Sequence, residues 1–236
     1  MLATAFLISF SVTLSRIGVT YKALAAGIDG SYAGVLAVAF SLLPACLVVW
    51  FGRLGDRGAV ALMTVAGAGV LVLATLALLA SPLDLVWLLM GTGVLGVGQT
   101  LHLSGLQLVV LLASTRMHRD AMLGNYLFAS SAGSMIAPLF VGLIDTNDPA
   151  SIAVHLLDLA LGSAVLLIGA AVLVGRRLPD KAPAPSVAVP ISIILARPGL
   201  PTMLMTGSVV ATINGVMPIY LPSSGSTAGS LRASSV

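Results

Sequence analysis

The chain has 236 residues, of which 58% are hydrophobic and only 8% are charged. An ordinary soluble domain carries about a quarter charged residues, so this composition excludes a soluble globular fold and indicates an integral membrane protein. The net charge of +3 comes from scattered Lys and Arg residues that are not interleaved with aromatic residues, which argues against nucleic acid as a partner.

Apolar segments of membrane-spanning length follow one another along most of the chain. A bilayer core about 30 Å thick needs about 20 residues of α-helix, and clusters of Gly, Ser, Pro and Asp separate the segments. We predict an all-α fold, a polytopic transmembrane helical bundle. Its six predicted spans are 2–20, 33–51, 59–79, 83–112, 121–144 and 152–174, with a seventh at 200–221.

The spans divide the chain into four predicted regions: an N-terminal six-helix transmembrane half (1–175), a cytoplasmic linker (176–198), a seventh transmembrane helix (199–222) and a disordered tail (223–236). A chain that stops after one further span is expected to be a truncated or frame-shifted product, with a naturally short protein as the alternative.

Lys and Arg are unevenly divided between the two sides of the predicted bundle. The positive-inside rule therefore predicts that the N-terminus and the linker are cytoplasmic, in a bacterial inner membrane or plasma membrane. The cytoplasmic side would hold Arg53, Arg57, Arg116, Arg119, Arg176, Arg177, Lys181 and Arg197, against Lys22 and Arg16 on the other side.

The turn between spans two and three reads Gly52-Arg53-Leu54-Gly55-Asp56-Arg57-Gly58. It resembles the signature loop G-x-x-x-D-R-x-G of the major facilitator superfamily of transporters, although Ala59 replaces the second glycine in strict register. The resemblance implies that Gly52, Asp56, Arg57 and Gly58 form a gating loop that latches two halves together on the cytoplasmic face. Taken alone, the same residues also fit a generic cytoplasmic turn with positive-inside arginines.

Span five carries a second pattern of small residues. It is similar to the antiporter-associated motif G-x8-G-x3-G-P-x2-G-G of the same superfamily, with alanine and valine in place of two glycines. Small residues at this spacing allow close helix packing, and proline bends the helix. The residues of the predicted helix-packing motif are Gly124, Gly133, Ala137, Pro138 and Gly142.

Polar residues inside spans are costly in lipid and tend to face a cavity. Asp158 is the one carboxylate well inside a span, and His155 lies three residues before it on the same helix face. Both residues could instead be solvated near the outer interface, and Arg16 could pair with Asp158 across the bundle. The candidates for a substrate or proton pathway are Arg16, Gln99, His102, Asn125, His155 and Asp158.

The resemblance implies a secondary transporter that exports a small organic molecule by alternating access, coupled to protons. Its expected partners are the lipid bilayer, the substrate, protons, and either a missing C-terminal half or a second copy. The alternative is a non-transporting membrane fragment or partner subunit. An intramembrane protease is a remote alternative, because the chain has no Glu for a metalloprotease motif and no second intramembrane Asp. No enzyme activity, cofactor or metal is predicted.

Overall fold

A computed structural model of the chain describes residues 1–28, 32–114, 117–146 and 148–176. Within these ranges there are α-helices and one 3-10 helix but no strand. The α-helices are α1 (Leu2–Ala25), α2 (Ala33–Asp56), α3 (Val60–Ala80), α4 (Leu85–Ala113), α5 (Arg119–Ile136) and α6 (Pro149–Gly175), and the 3-10 helix Ala137–Leu143 directly follows α5.

Six segments are long and apolar enough to cross a membrane, with the 3-10 helix completing the fifth. The predicted all-α bundle with six spans is therefore confirmed, and most helix ends lie within a few residues of the predicted ones. The helix α1 is longer than predicted, since it ends at Ala25 rather than at residue 20. The predicted seventh span, the disordered tail and the linker after Arg176 lie outside the described residues.

Local hydrogen bonding sets where the sixth span begins. The carboxylate of Asp148 accepts the backbone N–H groups of Ser151 at 3.0 Å and Ala150 at 3.4 Å, and Pro149 occupies the first turn, where its missing N–H costs nothing. The Ser151 N–H above all lowers the pKa of Asp148, because it binds the charged form of the carboxylate. The turn residues thus start α6 three residues earlier than the apolar pattern alone predicted.

The first helix is the centre of the bundle. In an apolar 18-residue stretch of α1, 72% of the residues are buried. In the corresponding stretches of the second and fifth spans, only 17% are buried. The helix α1 packs closely on α5 and α6 and more lightly on α4, while α3 lies between α4 and α6, and α2 rests mainly on α4. The helices α2 and α5 therefore form the edges of the described bundle.

Glycines bring three pairs of helices into backbone contact. A Cβ atom on Gly133 of α5 would overlap the carbonyl oxygen of Phe6 on α1, and one on Gly96 of α4 would overlap that of Phe40 on α2. A Cβ atom on Gly67 of α3 would lie 2.7 Å from the Cα of His102 on α4. Close packing of this kind is a main source of helix association in membranes, where lipid removes the hydrophobic driving force.

Lys22 joins the C-terminal ends of α1 and α3. Its ammonium group donates to the carbonyl oxygens of Leu78 at 2.5 Å, Leu79 at 3.1 Å and Ser81 at 2.8 Å, and to the Ser81 hydroxyl at 3.1 Å. The last carbonyls of a helix have no helical donor, so a cation placed there satisfies them. Lys22 was predicted to lie beyond the end of span one, but it is a buried residue within α1.

Candidate functional site

A line of polar residues runs along one face of α1. Ser9, Thr13, Arg16 and Thr20 are spaced by four, three and four residues, which places them on a single helix face, here called the polar stripe. Ser9 shares a 2.6 Å hydrogen bond with Ser130 of α5, and the Thr20 hydroxyl donates to the carbonyl oxygen of Arg16 at 3.0 Å. Thr13 and Arg16 are only partly buried. The middle of the polar stripe is therefore accessible.

The opposite face of α1 packs against α6. Gly18 is two residues from Arg16, about 200° around the helix, and a Cβ atom on Gly18 would lie 3.0 Å from Leu157 of α6. Leu14, two residues before Arg16, lies in a buried cluster with residues of α6. Arg16 therefore points away from α6, which carries Asp158 on its exposed surface. The Arg16–Asp158 pair considered from the sequence does not form, because α1 separates the two side chains.

Arg16 instead reaches towards α2. Its guanidinium carbon lies 4.8 Å from the centre of the Phe40 ring, a cation–π contact. The backbones of α1 and α2 are not otherwise closely packed. The backbone of Phe40 lies directly against α4. Pro44 has no N–H to donate to the Phe40 carbonyl oxygen, and this oxygen lies against Gly96 of α4. Arg16 thus bridges a gap that is bordered by α1, α2 and α4.

A second line of residues on α4 faces the same gap. Gln99, Leu103 and Gln107 are spaced by four residues, and Leu103 packs against two clusters that contain residues of α1. Gln107 interacts with the hydroxyl of Tyr126 on α5. Gln99, one turn from Leu103 on this face, is partly exposed. We call the space between the polar stripe of α1 and this face of α4, bordered by α2 and α5, the groove.

A small cavity lies between the start of α1, the end of α4 and the start of α5. Its volume is about 290 Å³, and Asn125 contributes an amide group to a mostly apolar lining. Of the candidates from the sequence, Arg16 and Gln99 are therefore placed beside the groove, and Asn125 lines this cavity. The residues around this cavity are Met1, Leu2, Val110, Met122, Asn125 and Tyr126.

His102 occupies a different place. It is fully buried between α3 and α4, where its Nδ1 lies 2.7 Å from the carbonyl oxygen of Thr64, and its Nε2 has no hydrogen-bond partner among the described residues. Because it faces α3 rather than α1, His102 does not line the groove. His102 is therefore part of the packing of α3 on α4, and its predicted role in a substrate or proton pathway stays a prediction.

His155 and Asp158 lie on the outside of α6. Both side chains are exposed, and the Nδ1 of His155 is 2.7 Å from the carbonyl oxygen of Ser151 in its own helix. Neither residue belongs to the groove.

The predicted gating loop is a tight helix end. Gly58 has a φ of +77°, its N–H donates to Gly55, and the N–H of Ala59 donates to Leu54 at 3.1 Å. This is the Schellman arrangement, which needs a residue in the left-handed region. Asp56 and Arg57 are exposed, as is Gly52, which has open space around its Cα. The positive φ accounts for a glycine at position 58 whether or not the loop gates transport. The side chains of Asp56 and Arg57 are exposed to possible partners.

The five residues of the predicted packing motif have different environments. Gly133 is at the backbone contact with α1, and Ala137 is completely buried. Pro138 lies in the first turn of the 3-10 helix, where the α-helical hydrogen bonding of α5 ends. Gly124 and Gly142 have nothing within 4 Å of an added Cβ atom. Close packing in this region therefore rests on Gly133 and Ala137.

Three residues near the groove were not predicted from the sequence: Thr13, Phe40, and Tyr126, which joins α5 to Gln107 of α4. The four-three-four spacing of hydroxyl residues around Arg16 was a signal that would have found Thr13. Phe40 and Tyr126 carry no such signal, because their roles depend on how α2 and α5 pack against α4.

The family described as the Major Facilitator Superfamily matches residues 1–236. No curated protein matches the chain.

Proposed function

Because the chain belongs to the Major Facilitator Superfamily, whose members are membrane transporters of small molecules and not enzymes, we propose that it exports a small organic molecule by alternating access, coupled to protons. The observation that carries the proposal is the groove. Its polar stripe places a charged residue, Arg16, in the interior of a spanning helix, where charged groups usually mark a transport pathway.

The groove supplies one wall of a substrate pathway. In alternating access, two groups of helices rock around a site near the middle of the bilayer. Gln99 and Asn125 are the proposed neutral contacts for the substrate, and Arg16 is the proposed charged contact. The helices α2 and α5, which are the least buried, are the proposed surfaces against which a second group of helices moves. The exposed Asp56 and Arg57 are proposed to latch that second group on the cytoplasmic face.

Asp158 is the proposed proton carrier. It is the one carboxylate in the interior of a described spanning helix, nine residues after the start of α6. Its side chain is exposed on the surface of the described bundle. Since α1 lies between Asp158 and the groove, protonation would act by changing how α6 packs on α1. Direct contact between Asp158 and the substrate is not part of the proposal.

The alternative is that the protein is a non-transporting membrane fragment or partner subunit. It is favoured by one observation: the described residues supply only one group of six spanning helices, and alternating access needs a second group that moves against the first. Closure would need helices from outside the described residues, from a second copy or from another protein.

Reconstitution of the purified chain into vesicles separates the two functions. The proposal predicts that an imposed pH gradient drives flux of some members of a panel of labelled drugs and metabolites, and that Asp158→Asn abolishes the effect of the gradient. A folded chain that binds a panel member without any flux would support the partner-subunit alternative. A folded chain that neither binds nor transports would contradict both a substrate site and the proposed function.

A further inference from the structure

We propose that His102 is a pH-sensitive switch between α3 and α4: the neutral imidazole keeps the two helices in contact, and its protonation separates them. The proposal goes beyond the proposed function, because it requires neither a substrate nor transport. It starts from the surroundings of the two ring nitrogens and from the tight packing on either side of the ring.

The hydrogen bond to α3 fixes the form of the imidazole. Nδ1 of His102 lies 2.7 Å from the backbone carbonyl oxygen of Thr64, and a carbonyl oxygen can only accept. Nδ1 therefore carries the proton of the neutral ring, and Nε2 carries a lone pair. The side chain is fully buried, and Nε2 has no hydrogen-bond partner among the described residues. The neutral ring is thus held by one hydrogen bond and keeps one basic nitrogen inside the bundle.

Protonation would change the energetics at Nε2. The protonated ring has a donor at both nitrogens, so it would place a charged N–H group where the described helices offer no acceptor. A buried charge without an acceptor is far more costly than a buried lone pair, because the hydration of the charge is lost. The arrangement in which α3 and α4 touch should therefore exclude the proton, and an arrangement that hydrates Nε2 should bind it.

Backbone contacts enclose His102 on both sides along the helix. A Cβ atom on Gly98, about one turn before His102, would lie 2.9 Å from the backbone nitrogen of Leu71. One on Gly105, about one turn after it, would lie 2.9 Å from the backbone nitrogen of Thr64. For Nε2 to become hydrated, the two helices must separate along this stretch. Protonation and separation are therefore linked.

The two helices that enclose His102 carry no other titratable residue. The sequences of α3 and of the rest of α4 contain no Asp, Glu, Lys, Arg, Cys or Tyr. The helices α1, α2 and α6 pack on α3 or α4, and their charged residues are exposed or engaged elsewhere. These are Arg16 and Lys22 on α1, Arg53 and Asp56 on α2, and His155 and Asp158 on α6.

The sign of the pH dependence follows from one proton. An imidazole in water has a pKa of about 6.5, so above this pH both arrangements hold a neutral ring and the contact of α3 with α4 is fully present. Below it, the separated arrangement binds one proton that the closed arrangement excludes. The equilibrium constant for separation should therefore rise about 10-fold for each pH unit below about 6.5.

The switch lies close to the predicted gating loop, 52–58. Val60 begins α3 two residues after this loop, and Thr64 lies about one turn further along. Met63 and Leu101, each next to a residue of the hydrogen-bonded pair, share one buried cluster with the end of α2. Separation of α3 from α4 should therefore displace the start of α3 and the loop that precedes it.

The test measures the distance between the two helices as a function of pH. Nitroxide labels are placed at Leu62→Cys on α3 and Leu112→Cys on α4, both exposed, in a Cys46→Ala background of the full chain in lipid nanodiscs. Double electron–electron resonance then gives the ratio of long to short distances. We expect this ratio to rise about 30-fold between about pH 7.5 and about pH 5. A control pair on α1 and α6, Leu2→Cys with Leu173→Cys, should not change.

Two histidine variants assign the response. His102→Asn keeps a neutral donor near the Thr64 carbonyl group but cannot bind the proton, so its α3–α4 distance should be short at both pH values. His155→Asn is the matched control, because Nδ1 of His155 also lies 2.7 Å from a backbone carbonyl oxygen but on an exposed surface. It should respond to pH as the wild type does.

The wild type decides the question even if His102→Asn fails to fold. An α3–α4 distance that does not change with pH, an equal change in the control pair, or an equal response in folded His102→Asn would each overturn the proposal. The measurement involves no flux, so failure of the transporter proposal would leave its result unaffected.

Discussion

The close contact between α1 and α5 makes a quantitative prediction about one methyl group. A Cβ atom on Gly133 would overlap the carbonyl oxygen of Phe6 and lie 3.1 Å from the backbone nitrogen of Phe10. Both neighbours are backbone atoms, so no side chain can rotate out of the way. To restore ordinary van der Waals distances in Gly133→Ala, the two helices must separate by roughly 1 Å along a tightly packed interface.

Overpacking of this kind costs about 1–3 kcal/mol, and the better helix propensity of alanine returns at most about 1 kcal/mol. We therefore expect Gly133→Ala to lower the free energy of unfolding by about 1–2 kcal/mol. The matched control is Gly124→Ala, nine residues earlier in the same helix, where an added Cβ atom meets nothing within 4 Å. That variant should be unchanged or more stable by up to about 1 kcal/mol.

The assay is reversible unfolding of both variants and the wild type in mixed dodecylmaltoside and sodium dodecyl sulfate micelles, followed by circular dichroism. Only the difference between the two variants is informative, because any general effect of replacing glycine in α5 appears in both. Equal stability of Gly133→Ala and Gly124→Ala would refute the packing of α5 on α1 through Gly133.

Three further predictions concern the ends of the helices. Lys22→Met should lower the free energy of unfolding by about 1–3 kcal/mol in the same assay, because the carbonyl groups at the end of α3 lose a charged donor. Lys22→Arg should recover part of this loss. An unchanged free energy of unfolding in Lys22→Met would show that water satisfies those carbonyl groups equally well. Gly58→Ala should cost about 1 kcal/mol, because the φ of +77° is unfavourable for a residue with a Cβ atom, whereas Gly52→Ala in the same loop motif should be neutral. Single cysteines at Asp84 and Arg57, both exposed, should be labelled from opposite sides of the membrane in a Cys46→Ala background, with Asp84 outside; labelling of Arg57→Cys from outside would reverse the proposed orientation.

The sequence was sufficient for the number and the approximate limits of the described spans, since the length of an apolar run is set by bilayer thickness. The predicted end of span one was too early. Lys22 was expected to lie beyond it, but Lys22 is within α1, where carbonyl groups of α3, more than fifty residues away in the chain, bind its ammonium group. Contacts of this kind leave no local pattern.

The candidate site also contains some residues that could be predicted from the sequence and others whose surroundings could not. Arg16, Gln99 and Asn125 were found because polar residues in apolar spans are conspicuous. His102 was equally conspicuous but faces α3, and a helical position alone does not say which neighbour a residue faces. The side of each helix that meets its neighbours depends on the glycine contacts at Gly67, Gly96 and Gly133, which fix the rotation of the helices and so decide which polar residues share the groove.

The central claim is that the groove beside Arg16 is a substrate pathway, and the most direct measurement is gradient-driven flux through it. Purified wild-type chain and a folded Arg16→Gln variant are reconstituted at equal density into vesicles, and the flux of labelled anionic and neutral compounds is followed after a pH gradient is imposed. We expect flux of at least one compound in wild-type vesicles above that of protein-free vesicles, and loss of this flux in Arg16→Gln. Wild-type flux that equals the protein-free background for every compound, or flux that Arg16→Gln leaves unchanged, would contradict it.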